Sequence, residues 1–440
     1  MHINKLEVTN FKKFAQQTFE LHPQFTLFVG HNGAGKTSVL DALAVAMGIW
    51  LTEITDTTLL NSRRSIVTKE IRLESFATGD RAIFLERLPV VVTAEGSIGT
   101  DLVSWTRQIS KGGKNSSDRD AQKARKAVAE IVTLAEAGKN VLCPVLAYYG
   151  AGRAWLASNK RDPKAVTGPV RRWSAFYDCF NERIRFAELT GWFERETTAA
   201  GNRQGRMRPG FEVVRRAIVN CVPQASGIWF DADREEIVLK IDGVSQPFSN
   251  LSAGQRMMLA LVADIAIKAI TQNAYLLPPD ELGPEDEPVP RILRETPGIV
   301  LIDELDVHLH PEWQRQVATD LKRTFPAIQF VCTSHSPQVI GELYPEEIRV
   351  LADDGSVSIP PRSFGIDSSR ILEEVMEGQA RNHEVEMTLQ ELARLIDAED
   401  FPSAHQKLTE LEGILDANDP DVTHHRALLA FMEAPLCEPS

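Results

Sequence analysis

Residues 30–37 read GHNGAGKT. A strand-like run, QTFELHPQFTLFVG (17–30), leads into them, and a helix-like run, KTSVLDALAVAMG (36–48), leads out and ends at Gly48. The stretch fits G-x-x-x-x-G-K-[ST] in the strand–loop–helix setting that gives the pattern its meaning. Gly30, Gly33 and Gly35 let the backbone wrap close to phosphate oxygens, and successive N–H groups then point at them. Lys36 brings positive charge to the β- and γ-phosphates, and Thr37 offers a hydroxyl to Mg²⁺. Asn32, Gly33, Ala34, Gly35, Lys36, Thr37 and Ser38 are therefore the expected ATP contacts.

A phosphate loop needs an acidic counterpart. IVLIDE (299–304) is an apolar run that ends in two carboxylates, as a buried parallel strand does at its carboxyl edge. Asp303 is expected to hold Mg²⁺, mainly through water, and Glu304 to act as general base on the attacking water. By itself this run would read as a strand ending in a solvated turn; beside a phosphate loop it reads as half of a site. LDVHLHP (305–311) follows at once. Asp306, His308 and His310 lie close together, but no cysteine is near, which argues against a metal set there. A second apolar run, AIQFVCTSH (327–335), ends in TSHSP. His335 is expected to reach the γ-phosphate; the plainer alternative is a capping histidine at a strand-to-helix turn.

LSAGQR (251–256) follows a strand-like run (236–244) and opens an apolar helix, MMLALVADIAIKAI. Serine and glycine before a helix often mean only an N-cap. An exposed helix N-terminus also welcomes an anion.

The 440 residues carry 43% hydrophobic and 25% charged side chains, ordinary for a soluble globular chain of two or three lobes. No apolar run approaches a membrane span and no signal peptide opens the chain, so no membrane role is expected. Five scattered cysteines without a CxxC pair suit a reducing cytoplasm. A net charge of −13 makes whole-molecule attraction to nucleic acid unexpected. Two local basic stretches remain: Lys111, Lys114, Arg119, Lys123, Arg125 and Lys126, and GNRQGRMRPG with Arg203, Arg206 and Arg208. Both read as solvated loops, with nucleic acid or an acidic partner as the alternative. PPDELGPEDEPVP (278–290) reads as an acidic loop, 155–225 as helical, and the chain beyond 380 as helical. In that tail Leu389, Leu392, Leu395 and Ile396 form one stripe and Leu408, Leu411 and Ile414 another, a helical hairpin that packs or docks a partner.

A phosphate loop, an LSGGQ-like signature, a DE-ended strand with a following Asp loop, and a switch histidine occur in one order here. Together they resemble the ABC-type ATPases over about 1–50 and 225–365. The resemblance implies an α/β, ABC-type ATPase head: a mixed sheet with a phosphate-loop core, a helical insertion and a helical C-terminal tail. The expected domains are a phosphate-loop lobe (1–154), a helical insertion (155–225), a lobe with signature, acidic strand and switch histidine (226–379), and a partner-docking region (380–440). The resemblance also implies that Ser252 and Gly254 of one copy complete the site of a second copy around ATP, and that Gln255 and Asp306 are nucleotide contacts.

More than two hundred residues separate Lys36 from Ser252, too many for a transporter ATPase and without the heptads of an SMC arm. LEVTNFKKF (6–14) before FTLFVGHNGAGKTSVLDAL, with DELDVHLHP and TSHSP, resembles the RecF-like and OLD-like branch. YYGAGR (148–153) and SFGIDSSRILEEVM (363–376) are similar to the ATPase subunit of Septu-type anti-phage systems, of which some retron systems carry a relative. That likeness implies a partner HNH nuclease and, through the complex, DNA or RNA (retron-like). YYGAGR stands about where the usual Q-loop glutamine would, so that residue has no counterpart. About a hundred residues follow His335, without the strand-borne acidic cluster of an OLD nuclease, so no nuclease is expected in this chain; His424 and His425 read as a solvated pair. A RecF-like DNA-binding ATPase of repair or recombination is the competing expectation, and a transporter ATPase a remote one.

Overall fold

The computed structural model describes residues 1–78, 81–113, 116–154, 172–184, 186–277, 288–379, 381–416 and 418–433. Lys114, Cys437, residues 155–171 of the expected insertion and most of the acidic stretch 278–290 lie outside the described residues. The chain divides into two compact units, Met1–Ser368 and Ser369–Ser440.

The first unit begins with strands β1 (His2–Phe11), β2 (Phe14–Glu20) and β3 (Phe25–Gly30), then helix α1 (Lys36–Met47). Next come β4 (Leu73–Thr78), β5 (Arg81–Glu86), β6 (Val90–Ile98), β7 (Asp101–Ile109), α2 (Gln122–Glu136) and β8 (Val145–Tyr149). Helices α3 (Phe186–Gly201) and α4 (Pro209–Cys221) precede β9 (Ala225–Asp231), β10 (Glu236–Ile241), β11 (Val244–Pro247) and the long helix α5 (Ala253–Asn273). Then follow α6 (Arg291–Glu295), β12 (Gly298–Ile302), α7 (Pro311–Thr324), β13 (Ile328–Thr333), α8 (Pro337–Ile340), β14 (Ile348–Leu351) and β15 (Val357–Ser358). Helix α9 (Ser368–Glu374) begins at the division, and the second unit continues with α10 (His383–Asp397), α11 (Phe401–Ile414) and α12 (Pro420–Glu433).

The six-stranded sheet has the order β15-β14-β3-β13-β12-β8. β14, β3, β13, β12 and β8 run parallel, and β15 is an antiparallel edge. Every residue of β12, β13 and β8 is buried, which explains why their sequences are apolar runs rather than alternations. A second, antiparallel sheet has the order β2-β1-β6-β7. Helix α1 packs in a core shared by both sheets, and ten of its residues are buried. A helix enclosed on all sides has no polar stripe, and KTSVLDALAVAM has almost none. The Trp105 indole N–H donates to the Ala46 carbonyl at 3.1 Å, fixing the C-terminal end of α1 to β7.

The sequence departs from this fold in three places. The run 17–30 is divided at His22–Pro23 between two sheets, because proline donates no ladder hydrogen bond. The run 236–244 is also divided: Asp242 and Gly243 take φ of 49° and 77°, the geometry of a tight two-residue hairpin turn. The basic stretch near 111–126 runs into α2, where Arg125 pairs with Glu53 at 2.5 Å.

In the second unit, α10, α11 and α12 share one core of Leu389, Leu392, Ile396, Leu408, Leu411, Val422 and Leu429. Most of both expected stripes lies in or against that core, but Ile414, expected in the second, is 57% exposed; α12 adds a third helix. His425 lies on it with Nδ1 2.8 Å from the Asp421 carbonyl oxygen.

Phe330 on β13 is fully buried between Phe25 and Phe325, with ring centroids 6.3 and 6.4 Å away. Phe330→Ala leaves a cavity under the central strands and should cost about 3–5 kcal/mol. Chemical denaturation followed by intrinsic fluorescence checks this; an unchanged unfolding midpoint would contradict the packing described.

Candidate functional site

The parallel sheet brings the phosphate loop, the acidic strand and the switch segment to one edge. β13 lies between β3 and β12, so residues far apart in sequence end side by side. The loop from β3 to α1 turns on Gly33 (φ 82°) and Gly35 (φ 106°), and Gly35 caps the helix in the left-handed region. Side chains are disfavoured there, and Gly30 is excluded by contact: an added Cβ would lie 2.3 Å from the Leu351 carbonyl oxygen. Ala34 is buried, with its N–H donating to the His31 carbonyl at 3.1 Å. Asn32 and Thr37 are exposed and Ser38 is half-buried.

Lys36 is buried, and its ammonium donates to the carbonyls of Gly30 (2.7 Å) and His31 (3.0 Å). Burial holds it below the usual lysine range, against the pull of Asp303, Glu304 and Asp306. The Thr37 hydroxyl donates to Asp303 Oδ2 at 2.9 Å. The Thr333 hydroxyl donates to Asp303 Oδ1 at 2.6 Å, and the Glu304 N–H donates to that same hydroxyl oxygen at 2.7 Å. Glu304 itself takes φ 51°.

Asp306 ties the next loop to the switch segment. Its Oδ1 accepts from the Ser334 hydroxyl at 2.5 Å and from the His335 N–H at 3.3 Å. His335 is half-buried, and burial followed by the Lys36 charge holds its imidazole below the usual histidine range. The lowering favours the neutral ring, which can accept as well as donate. His310 serves as N-cap of α7, with its Nδ1 3.4 Å from the Glu312 N–H.

Ser252 is the N-cap of α5, in a capping box with Gln255: the Gln255 N–H donates to Ser252 Oγ at 3.2 Å, and the Ser252 N–H to Gln255 Oε1 at 2.9 Å. Ser252 stays exposed. Gly254 is buried against the Asp306 loop, where an added Cβ would lie 2.4 Å from the His308 carbonyl oxygen. Glycine is thus required by packing at the start of α5, whatever else it contacts.

The chemistry asked of a magnesium nucleotide fits this donor set. A hydroxyl and a carboxylate meet at the helix start, a buried ammonium lies behind a left-handed loop, and a second carboxylate follows. These are oxygen donors suited to Mg²⁺ and a cation suited to phosphate.

Three residues escaped the sequence reading. Lys13, from the turn between β1 and β2, reaches the loop and donates to the Gly33 carbonyl at 2.8 Å. Thr333 lies inside the quoted TSHSP, yet nothing in the motif marks its hydroxyl. Tyr148, in the YYGAGR stretch, is 2% exposed, and its hydroxyl has no hydrogen-bond partner among the described residues. Burial, then Asp41, Asp303 and Glu182, pushes that phenol well above the usual tyrosine range. An added Cβ at Gly150 would lie 2.6 Å from Glu182 Cβ, so Glu182 fills the space beside the end of β8.

Comparison with known proteins follows the same lines. The chain is 34% identical over 192 residues to "Retron Ec83 probable ATPase" of Escherichia coli, covering 43% of this chain and 33% of that protein. It is 24% identical over 358 residues to "Septu protein PtuA" of Bacillus mycoides, covering 80% of this chain and 40% of that protein. The chain thus spans well under half the length of these curated relatives. Over 43 residues it is 49% identical to a DNA replication and repair protein RecF of Flavobacterium johnsoniae, covering 10% of this chain and 12% of that protein. A solved SMC head bound to the C-winged helix domain of ScpA aligns with 82% of this chain and 97% of its own, at 17% identity and a TM-score of 0.44. The family described as the RecF/RecN/SMC N terminal domain matches residues 2–358, most of the chain, and the chain belongs to that family.

Proposed function

We propose that this chain binds ATP with Mg²⁺, hydrolyses it slowly, and serves as the ATPase subunit of an anti-phage defence complex. One observation carries the ATPase reading: Thr37, Asp303 and Thr333 form a hydrogen-bonded chain that joins the phosphate loop to the acidic strand. Thr37 and Asp303 would hold Mg²⁺, which when bound neutralises phosphate charge. Gly33 to Thr37 cradle the phosphates with N–H groups and the Lys36 ammonium. Glu304 accepts the proton of the attacking water at its carboxylate. His335, neutral, hydrogen-bonds the γ-phosphate.

Ser252 and Gln255 are not spent on this chain's own loop, and the exposed N-terminus of α5 offers its dipole to an anion. Two copies then close head-to-head around ATP, each lending Ser252 and the neighbouring backbone, with its Asp306 loop, to the other. The relatives named for retrons and Septu support the defence reading. In it, a cytoplasmic complex holds an HNH-type nuclease partner, docked through the helical tail, and ATP regulates that partner. Among the described residues no helix is long and apolar enough to cross a membrane. The short, strong match to RecF favours a second reading, a DNA-binding ATPase of repair or recombination.

Lys36→Ala should weaken ATP binding by about 100-fold or more, since it removes the charge buried behind the loop. Isothermal calorimetry checks this, and wild-type affinity in that variant would refute the phosphate-loop assignment. Glu304→Gln should keep ATP binding, lose turnover, and accumulate as an ATP-held dimer in light-scattering mass measurements. A Glu304→Gln chain that turns over at the wild-type rate would remove Glu304 as base. Co-expression with the neighbouring gene product separates the two functional readings. A stable two-component complex favours the defence subunit, whereas a lone chain that dimerises with ATP and binds DNA favours the RecF-like one.

A further inference from the structure

We propose that Thr333 is a positioning residue that sets both carboxylate-bearing residues of the hydrolytic site through a single hydroxyl; the assignment rests on the ATPase reading above. Thr333 ends β13 and is 0% exposed. A hydroxyl has one proton to give, and here it goes to Asp303 Oδ1 at 2.6 Å. With that oxygen engaged, the other, Oδ2, is the one that faces Thr37 at 2.9 Å, where the metal would be held. The lone-pair side of the same hydroxyl accepts the Glu304 N–H at 2.7 Å. Glu304 needs such a tether, because its φ of 51° lies in the left-handed region that a glutamate leaves readily. The Thr333 carbonyl adds a third contact by accepting the Leu305 N–H at 2.8 Å. Residues 303 to 305 are thus gripped from one point on the neighbouring strand. Asp306 and His335, which follow on the two strands, are joined by their own hydrogen bond.

The opposing explanation is that the hydroxyl merely satisfies itself in the core. The two explanations order the variants differently. Thr333→Val keeps the shape and removes the hydroxyl; Thr333→Ser keeps the hydroxyl and removes a methyl. Packing alone ranks valine as the milder change, whereas positioning ranks serine as the milder one.

The full-length wild-type, T333V and T333S chains are compared in phosphate release as a function of Mg²⁺, in ATP binding with EDTA, and in thermal melting. T333V should lose about 10–100-fold in kcat or need that much more Mg²⁺ for half-maximal rate, the range typical of lost outer-shell partners, while T333S stays within about threefold of wild type. ATP binding in EDTA should be equal in all three. T333V with wild-type kcat and Mg²⁺ dependence, or T333S as impaired as T333V, would overturn the assignment. Should T333V not fold, T333C makes the same comparison, because a thiol is a weak donor of similar size. A wild-type chain that takes up no ATP would sink the ATPase reading and this assignment together; an active wild type beside an unaffected T333V sinks the assignment alone.

Discussion

The site depends on one short chain of hydrogen bonds, Thr37 to Asp303 to Thr333, laid across three adjacent strands of the parallel sheet. Thr37 lies on α1 after β3, Asp303 just past the end of β12, and Thr333 at the end of β13. The chain forms because β13 lies between β3 and β12, with Cys332 opposite Ile302 and Thr333 opposite Phe28. Parallel strands need crossovers, and those crossovers, α1 and α7 among them, cover the sheet and make its strands apolar. The fold therefore concentrates the polar groups at one edge, where loops can hold them.

That edge sets three carboxylates, Asp303, Glu304 and Asp306, around one ammonium, Lys36. A buried ammonium alone would be costly, and so would Asp303 with its oxygens unpaired. Lys36 is met by two loop carbonyls, and Asp303 by two hydroxyls. Arg64 and Glu70 pair tightly deeper in the same lobe, with Asp41 of α1 3.6 Å from the guanidinium. Lys36 and Asp303 are therefore each held by their own hydrogen bonds. At the N-terminus of α5, serine and glutamine cap their own helix, with Ser252 exposed and Gln255 half-buried. Gly254, packed on the His308 carbonyl, binds that terminus to the Asp306 loop.

The phosphate loop, the acidic strand and the start of α5 were legible in sequence because each is a contiguous motif whose spacing follows from its chemistry. GHNGAGKT requires glycines where φ is positive, and the structure places Gly33 and Gly35 there. The partners that join these motifs were not legible. Thr333 and Lys13 come from β13 and the β1–β2 turn, and the place of Thr333 beside the acidic strand depends on strand order, which no local pattern encodes. Asp242–Gly243 carried a readable hairpin signal within an apolar run, and the run's continuity masked it. In the tail, the stripes of α10 and α11 were plain. Helix α12 was not, because its apolar residues spread round the helix instead of lining one face, and only Val422 and Leu429 of it are buried.

In the proposed dimer, one copy's phosphate loop works with another copy's α5 N-terminus. Subunit complementation measures this most directly. A Lys36→Ala chain and a Ser252→Arg chain, each inactive alone, are mixed and assayed for ATP hydrolysis. In the mixed dimer one site joins an intact phosphate loop to an intact signature, so activity should return. A mixture as inactive as its two folded components would contradict the account.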